Sequence, residues 1–323
     1  MGAPVALAER LYRIDAPLGE RFASLYLVVG DTSTLLFDTG IDGMIPEFVV
    51  PQLASIGLTV DDISHVVVSH CDVDHFGGVA DAHESFPNAR VLAHPLERAP
   101  IENFDTFLSE RGRGFLDEWG FDEDQGTLDW LREVTRERPL DGTVIDGEVI
   151  DLGGARPVVW HVPGHSRGHL AIELPWASAV LVSDAVLGSS VNLADGTPAF
   201  PPTYRYVDDY LATVARLSAA HHDLLLTAHY PAMSGATAAE FLAESAAFAQ
   251  RLDALVVAAL GAADDLTLAE LVHEINDAAG DWPTDGTEAA LAFPVVGHLE
   301  RLRDAGRLQP AGNRDGVPTW RLS

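Results

Sequence analysis

The sequence has no lysine and only one cysteine. Without lysine there is no Schiff-base chemistry and no phosphate-binding lysine of a P-loop. The lone Cys71 excludes an internal disulfide framework. Positive charge is scarce overall: 49 acidic residues face 20 basic ones, all arginine, for a net charge of -29. Such a surface repels nucleic acid and anionic membrane. No run approaches the roughly 18 apolar residues of a membrane span. The opening MGAPVALAERLYRID lacks the basic start and long apolar run of a secretory signal. The expectation is a cytoplasmic protein acting on a small molecule, with no nucleic-acid or membrane partner.

What is present reads as layered α/β architecture. SLYLVVG (24–30) and STLLFDTG (33–40) are apolar runs joined at Gly30-Asp31, a hairpin signal. MIPEFVVPQLASIG (44–57) reads as a helix, DISHVVVSH (62–70) as a buried strand, FGGVADAHESFP (76–87) as a helix start and ARVLAHP (89–95) as a strand. Residues 97–140 break the rhythm. They look helical and carry Phe104, Phe107, Phe115, Trp119, Phe121 and Trp130, so they read as an insertion that either packs onto the core or covers a site. Strands are expected again over 142–154, 155–164, 169–175, 178–186 and 223–229, with helices over 207–220 and 236–260. The aromatic loop PAFPPTYRY (198–206) offers Phe200, Tyr204 and Tyr206 as pocket wall. A second unit is expected from 236 to 323, after a catalytic domain over 1–235.

The chemistry concentrates in SHCDVDHFGG (69–78). His70, Asp72, Asp74 and His75 supply two imidazoles and two carboxylates on a tight turn after a buried strand. Alternate side chains at a strand end can aim at one point, and this donor set suits zinc, manganese or iron. His165 in VPGHSRGH, Asp184 in LVSDA, His229 in LLLTAHYP and Asp38 in LLFDTG follow other apolar strands. One such residue is ordinarily a satisfied core group. Five strand ends with the same feature point to a metal centre.

In their order and spacing, D-T-G, H-x-x-x-D-H-x-G-G, P-G-H-S-x-G-H, S-D and the last strand-end histidine resemble the metallo-β-lactamase superfamily, over residues 10 to about 235. The resemblance implies a four-layer αββα sandwich with two divalent metal ions, zinc in the usual case, at one edge. It implies that His70 and His165 bind the first ion and Asp74, His75 and His229 the second. Asp184 would bridge them, so Asp74 and Asp184 are the expected catalytic carboxylates. Asp38 would orient a ligand by hydrogen bonding, and His169 is expected beside the ligands. The implied chemistry is hydrolysis of an ester, thioester or lactone by a metal-activated water.

The pattern departs from the family at Asp72, where the usual motif H-x-H-x-D-H has histidine. Three outcomes are open: Asp72 ligates zinc at a weaker site, it favours iron or manganese, or the first position stays empty. Relatives that use iron with a flavin domain have a glutamate here, but no flavodoxin-like domain is visible.

Other groups carry weaker expectations. Arg167 is offered as an anchor for a substrate carboxylate, against an ordinary salt bridge. Cys71 is expected to point away from the ligands beside it. His94 stands near the expected cleft, and His65, His83, His161, His221, His222, His273 and His298 read as structural or surface groups. The tail orders as helix (266–276), helix (289–306) and hairpin (308–322), resembling the winged-helix tail of some hydrolases in this superfamily, where it helps shape the pocket. It holds 14 acidic and 6 basic residues. Arg301, Arg303 and Arg307 are interleaved with Glu300 and Asp304, unlike a DNA reader, so a structural or homodimer-forming role is expected. The rival readings are a phosphodiesterase or nuclease, an iron-dependent oxygen-using enzyme, and a metabolite-sensing DNA-binding regulator.

Overall fold

The computed structural model describes residues 3–323. A seven-stranded sheet runs in sequence order, β1 (Val5–Ala8), β2 (Leu11–Leu18), β3 (Arg21–Val29), β4 (Thr34–Phe37), β5 (Ile63–Val67), β6 (Arg90–Ala93) and β7 (Gly142–Thr143). It is antiparallel from β1 to β4 and parallel from β4 to β7. Strands β8 (Val158–His161), β9 (Leu170–Leu174) and β10 (Ala179–Ser183) belong to a second sheet. The pair β11 (Val191–Asn192) and β12 (Pro198–Phe200) stands apart. The second sheet is completed by β13 (Leu224–Thr227) and β14 (Met233–Ser234), in the order β14-β13-β10-β9-β8.

Side-chain alternation explains the layering. In β3, Tyr26 and Val28 join a core with Leu35, Phe37, Val67 and Leu92, against Leu170, Ile172, Leu181 and Leu226 of the other sheet. The residues between them, Leu25, Leu27, Leu36, Val66 and Val91, face the opposite way. There they meet the helical segment Ile45–Ile56, the helix Val79–Ser85 and the first part of the insertion. Likewise Ala171, Val180, Val182 and Leu225 turn from the sheet interface onto the helices Val207–Ala220, Gly235–Ala262 and Glu288–Asp304. Both sheets are thus buried on both faces, which is why their strands read as continuous apolar runs. Each fully buried Leu, Val or Phe contributes about 1.5–3 kcal/mol. The expected αββα sandwich is present.

Two sequence expectations need correction, and that of a helical insertion is met with added detail. Residues 142–154 form little strand: only Gly142–Thr143 pairs with β6, and Val149 makes an isolated bridge to Val158. Tight turns interrupt the rest, with Gly147 and the pair Gly153-Gly154 in the left-handed region. The insertion is helical in short pieces over 98–133, but its rings divide between destinations. Phe104 and Phe107 enter the core of the first sheet, whereas Phe115 and Trp119 enter that of the second. The Trp119 ring lies 4.7 Å from Trp320 in the C-terminal hairpin. The second correction is that the helix Gly235–Ala262 is long and apolar enough, by length and composition, to cross a membrane. Here Phe241, Leu242, Phe248, Leu252, Val256 and Leu260 bury one of its faces in the outer core.

The tail has the expected order, with helices Leu268–Ala279 and Glu288–Asp304 and the hairpin Leu308–Arg314 with Val317–Leu322. It shares one apolar core with the second sheet's helices, so it is built onto the sandwich rather than tethered to it.

Candidate metal centre

Asp38, Ser69-His70, Ser183-Asp184 and His229 all lie just past or at the ends of β4, β5, β10 and β13. The ends align because β4, β5 and β6 are parallel neighbours, as are β10 and β13. Backbone turns out of the sheet at each end: Asp38 and Ser183 have φ of 66° and 49°, a conformation that costs a non-glycine residue free energy and clusters at functional sites. The glycines after the second motif serve close approach. A Cβ on Gly78 would lie 2.6 Å from the Thr39 carbonyl oxygen, so the helix start can sit against the Asp38 turn only with glycine there.

Hydrogen bonds to atoms that can only accept define the imidazoles. His75 Nδ1 lies 3.0 Å from Asp38 Oδ2, and His229 Nδ1 lies 2.9 Å from the Phe22 carbonyl oxygen. Each Nδ1 must therefore carry a proton, which turns Nε2 to the centre as the atom available to a metal once it is unprotonated. His70 Nδ1 is 2.9 Å from Ser69 Oγ, which itself donates to Ser183 Oγ at 3.0 Å, so this imidazole too presents Nε2. Asp38 holds the arrangement together: Oδ1 accepts from Ser69 N at 2.7 Å and Oδ2 from Ser183 Oγ at 2.8 Å.

The inner shell converges. His75 Nε2 is 3.4 Å from Asp184 Oδ2 and 3.7 Å from Asp74 Oδ1, and His229 Nε2 is 3.3 Å from each of Asp74 Oδ2 and Asp184 Oδ2. On the other side, Asp72 Oδ2 lies 2.9 Å from His165 Nε2 and 3.6 Å from His70 Nε2. Three overlapping groups place donor atoms within 4.8 Å of one another: His70, His165 and His169; His70, His75 and Asp184; Asp74, His75 and His229. All of the sequence-derived ligand residues therefore meet at one edge of the sandwich. His169 stacks on His70 with ring centroids 4.4 Å apart, and its Nε2 is 3.1 Å from the Val182 carbonyl oxygen.

The electrostatics ask for cations. His70 Nε2, His75 Nε2 and Asp184 Oδ1 are buried without a hydrogen-bond partner among the described residues; such orphans are costly unless something binds them. Burial would lower the pKa of His229, but Asp184 and Asp74 outweigh it and push it up to about 9. His75 is likewise raised against its burial, by Asp74, Asp184 and Asp38. Burial opposes ionisation of Asp184, yet His229 and His75 hold its carboxyl well below the usual range. Buried carboxylates, imidazole lone pairs and orphaned acceptors at one point fit divalent metal ions.

The centre floors a pocket of about 220 Å³. Asp72, Asp74, Asp184 and His229 line it beside Arg21 and Arg111. Its walls are mostly apolar, with Phe107, Trp130 and Leu131 from the insertion, Val191, Phe200 and Pro201 from the region around β11 and β12, and Phe293 from the tail; Glu123, Thr127 and Thr203 are polar members of the lining. The insertion and the 198–206 loop thus both reach the pocket, but not through all the expected residues. Tyr204 is fully buried, stacks on Tyr210 at 4.3 Å and meets His298 Nε2 at 3.0 Å; it is core, not pocket wall. Tyr206 and Arg167 bond each other at 3.0 Å and line a neighbouring pocket of about 300 Å³. Phe115 packs edge-on against Phe293 at 4.8 Å. Cys71 is buried in the apolar cluster of the first sheet, and burial followed by Glu97 raises its thiol pKa.

Two site residues escaped the sequence reading. Glu97 is buried and accepts from Cys71 N at 2.9 Å and Gly168 N at 2.5 Å, stapling the second motif to the third. Arg111, from the helical turn Leu108–Gly112, forms a two-pronged ion pair with Asp72. Neither lies in a periodic pattern or a motif; only the chain's path brings them in.

Comparison with known proteins agrees with this geometry. The profile of the metallo-beta-lactamase superfamily matches residues 18–229, and the chain belongs to that superfamily. It is a metal-dependent hydrolase of that group. It is similar to the human acyl-coenzyme A thioesterase MBLAC2, with 28% identity over 60% of this chain and 67% of the relative. A hydroxyacylglutathione hydrolase of Ruegeria pomeroyi is 35% identical over 29% of this chain and 34% of its own length. Among solved structures, a metallo-beta-lactamase family protein from Thermus thermophilus superposes with a TM-score of 0.75 at 23% identity, covering 98% of this chain and 100% of that one. A beta-lactamase domain protein from Burkholderia ambifaria gives 0.74 at 19% identity, covering 99% and 93%. These two likenesses concern the fold.

Proposed function

We propose that this hydrolase cleaves a thioester or related carboxylic ester of a small molecule whose acyl group is apolar. The observation that carries the reading is the pocket, which sets the metal-ligand cluster at the floor of aromatic and aliphatic walls. An apolar acyl chain fits such walls, because burying it removes apolar surface from water. The names of the similar proteins, an acyl-coenzyme A thioesterase and a hydroxyacylglutathione hydrolase, support the same bond type. A polynucleotide substrate fits poorly with a net charge of -29.

Two divalent ions, zinc in the first instance, would be held by His70, Asp72 and His165 on one side and by Asp74, His75 and His229 on the other, with Asp184 between. Bound there, they would polarise the substrate carbonyl and acidify a water. The protein's own part is orientation. Asp38, Ser69 and the Phe22 carbonyl fix three imidazoles with Nε2 inward. Phe107, Phe200 and Phe293 exclude water from the acyl side. The tail, which we read as winged-helix-like, serves the pocket through Phe293. Arg301 of its last helix pairs with Asp208 at 3.0 Å and with Asp253 at 3.4 Å, and Arg303 pairs with Glu118, so neither is a free contact for phosphate.

The test is a substrate panel on metal-loaded protein: acyl thioesters, aryl esters, lactones and phosphodiesters. Thioester or ester cleavage should exceed phosphodiester cleavage in kcat/KM by at least about a hundredfold, roughly 2.7 kcal/mol. Preferred cleavage of a phosphodiester would overturn the reading.

A further inference from the structure

Asp72 stands where the family has a neutral imidazole, and it does not stand alone. Arg111 Nε and Nη2 lie 2.9 and 2.5 Å from Oδ1, and Nη2 lies 2.7 Å from Oδ2. The guanidinium is itself held in place. Only a tenth of the side chain is exposed, it lies 4.7 Å from the Phe293 ring centroid, and Nη1 is 3.4 Å from the His165 carbonyl oxygen. A carboxylate offers about four lone-pair directions; Arg111 takes three, leaving one on Oδ2, toward His165 and His70. On the other side, Asp74 and Asp184 form ion pairs only with His75 and His229; Arg21 lines the same pocket and its charge reaches Asp74, but among the described residues it pairs directly with neither carboxylate.

We propose that Arg111 makes the two metal positions unequal, so that the position bounded by Asp74, His75, His229 and Asp184 fills first and the one bounded by His70, Asp72 and His165 fills only at higher metal concentration. Two effects act in the same direction. The guanidinium cancels the charge that Asp72 would bring to a cation, and it adds a fixed positive charge that repels a dication nearby. The insertion and the tail, through Arg111 and Phe293, thereby control occupancy of the metal centre. The inference rests on the chain being a metallo-hydrolase, but not on its substrate.

The experiment is calorimetric titration of the metal-free full chain with zinc, paralleled by cobalt absorbance to follow each site. The parent should bind two ions stepwise, the second at least about tenfold more weakly. Arg111→Met should raise the weaker affinity by at least about tenfold and leave the tighter one unchanged. Arg111→Lys, which keeps the charge, should behave as the parent. Circular dichroism verifies folding, and Arg111→Gln carries the same test if the methionine variant does not fold. Equal affinities in the parent, no gain in the neutral variant, or the same gain in the lysine variant would each overturn the proposal. Because the readout is metal binding, a failed substrate panel leaves this result independent.

Discussion

Asp38→Asn isolates one charge at the centre without changing side-chain volume. The residue is buried at φ 66°, and asparagine tolerates that backbone, so the turn should survive. The hydrogen-bond pattern cannot. Asp38 accepts from Ser69 N at 2.7 Å, Ser183 Oγ at 2.8 Å and His75 Nδ1 at 3.0 Å. An amide supplies one accepting oxygen and one donating nitrogen. If the oxygen keeps Ser69 N, the NH₂ faces His75 Nδ1, and that nitrogen must become the acceptor. The proton then moves to Nε2, the atom 3.4 Å from Asp184, and must leave again before His75 can bind a metal. Loss of such a supporting partner typically weakens metal binding about 10–100-fold, which is about 1.4–2.7 kcal/mol. The metal-free protein should lose about 1–3 kcal/mol of stability, the cost of a buried polar group left without its charged partner. Zinc affinity by chelator competition and chemical denaturation of the metal-free form measure the two effects separately. A variant that binds zinc as tightly as the parent would refute the role assigned to Asp38.

Other consequences are equally direct. Chelation should abolish hydrolysis and added zinc restore it; the metal-loaded form should be more stable, by about 4 kcal/mol at a thousandfold excess over Kd, and full activity in protein proven metal-free would contradict the site. Phe200→Ala should change the ranking of acyl chain lengths at near-parental stability, whereas Tyr204→Ala should cost about 3–5 kcal/mol in denaturation; the reverse pattern would put Tyr204 back in the pocket wall. Cys71 should resist thiol reagents near pH 8 until the chain is unfolded. Because burial raises its pKa in the folded state, its contribution to stability is present below about pH 8.5, the unfolded value, and declines above it; rapid labelling of native protein would show that the thiol is accessible. In a gel-shift assay at moderate salt the full chain should not retain DNA, and sequence-selective retention would revive the regulator reading.

Much of the centre is legible in the residues because its ligands follow apolar strands, and a parallel sheet aligns strand ends. His70, Asp184 and His229 each come after an apolar run, with Asp74 and His75 on the turn behind His70. The two-residue alternation was hidden inside those runs, since both faces of each sheet are buried and nothing polar marks a face. The strand expected over 142–154 failed because its period resembles a strand while Gly147, Gly153 and Gly154 turn the chain. Tyr204 was misread because an aromatic in a proline-rich loop looks the same whether it lines a pocket or, as here, plugs a core against Tyr210 and His298.

By itself, then, the sequence determined the succession of strands and helices and the cluster of candidate donors, because apolar runs and ligand spacing are local properties of the chain; the αββα layer order followed only from the family resemblance. Only the tertiary structure decided what surrounds the donors. Arg111 reaches Asp72 across 39 residues and Glu97 joins two motif loops across 71, while Phe293 approaches from the tail. No local pattern encodes such contacts; they arise where separately folded layers meet, and the charge beside the metal position is set there.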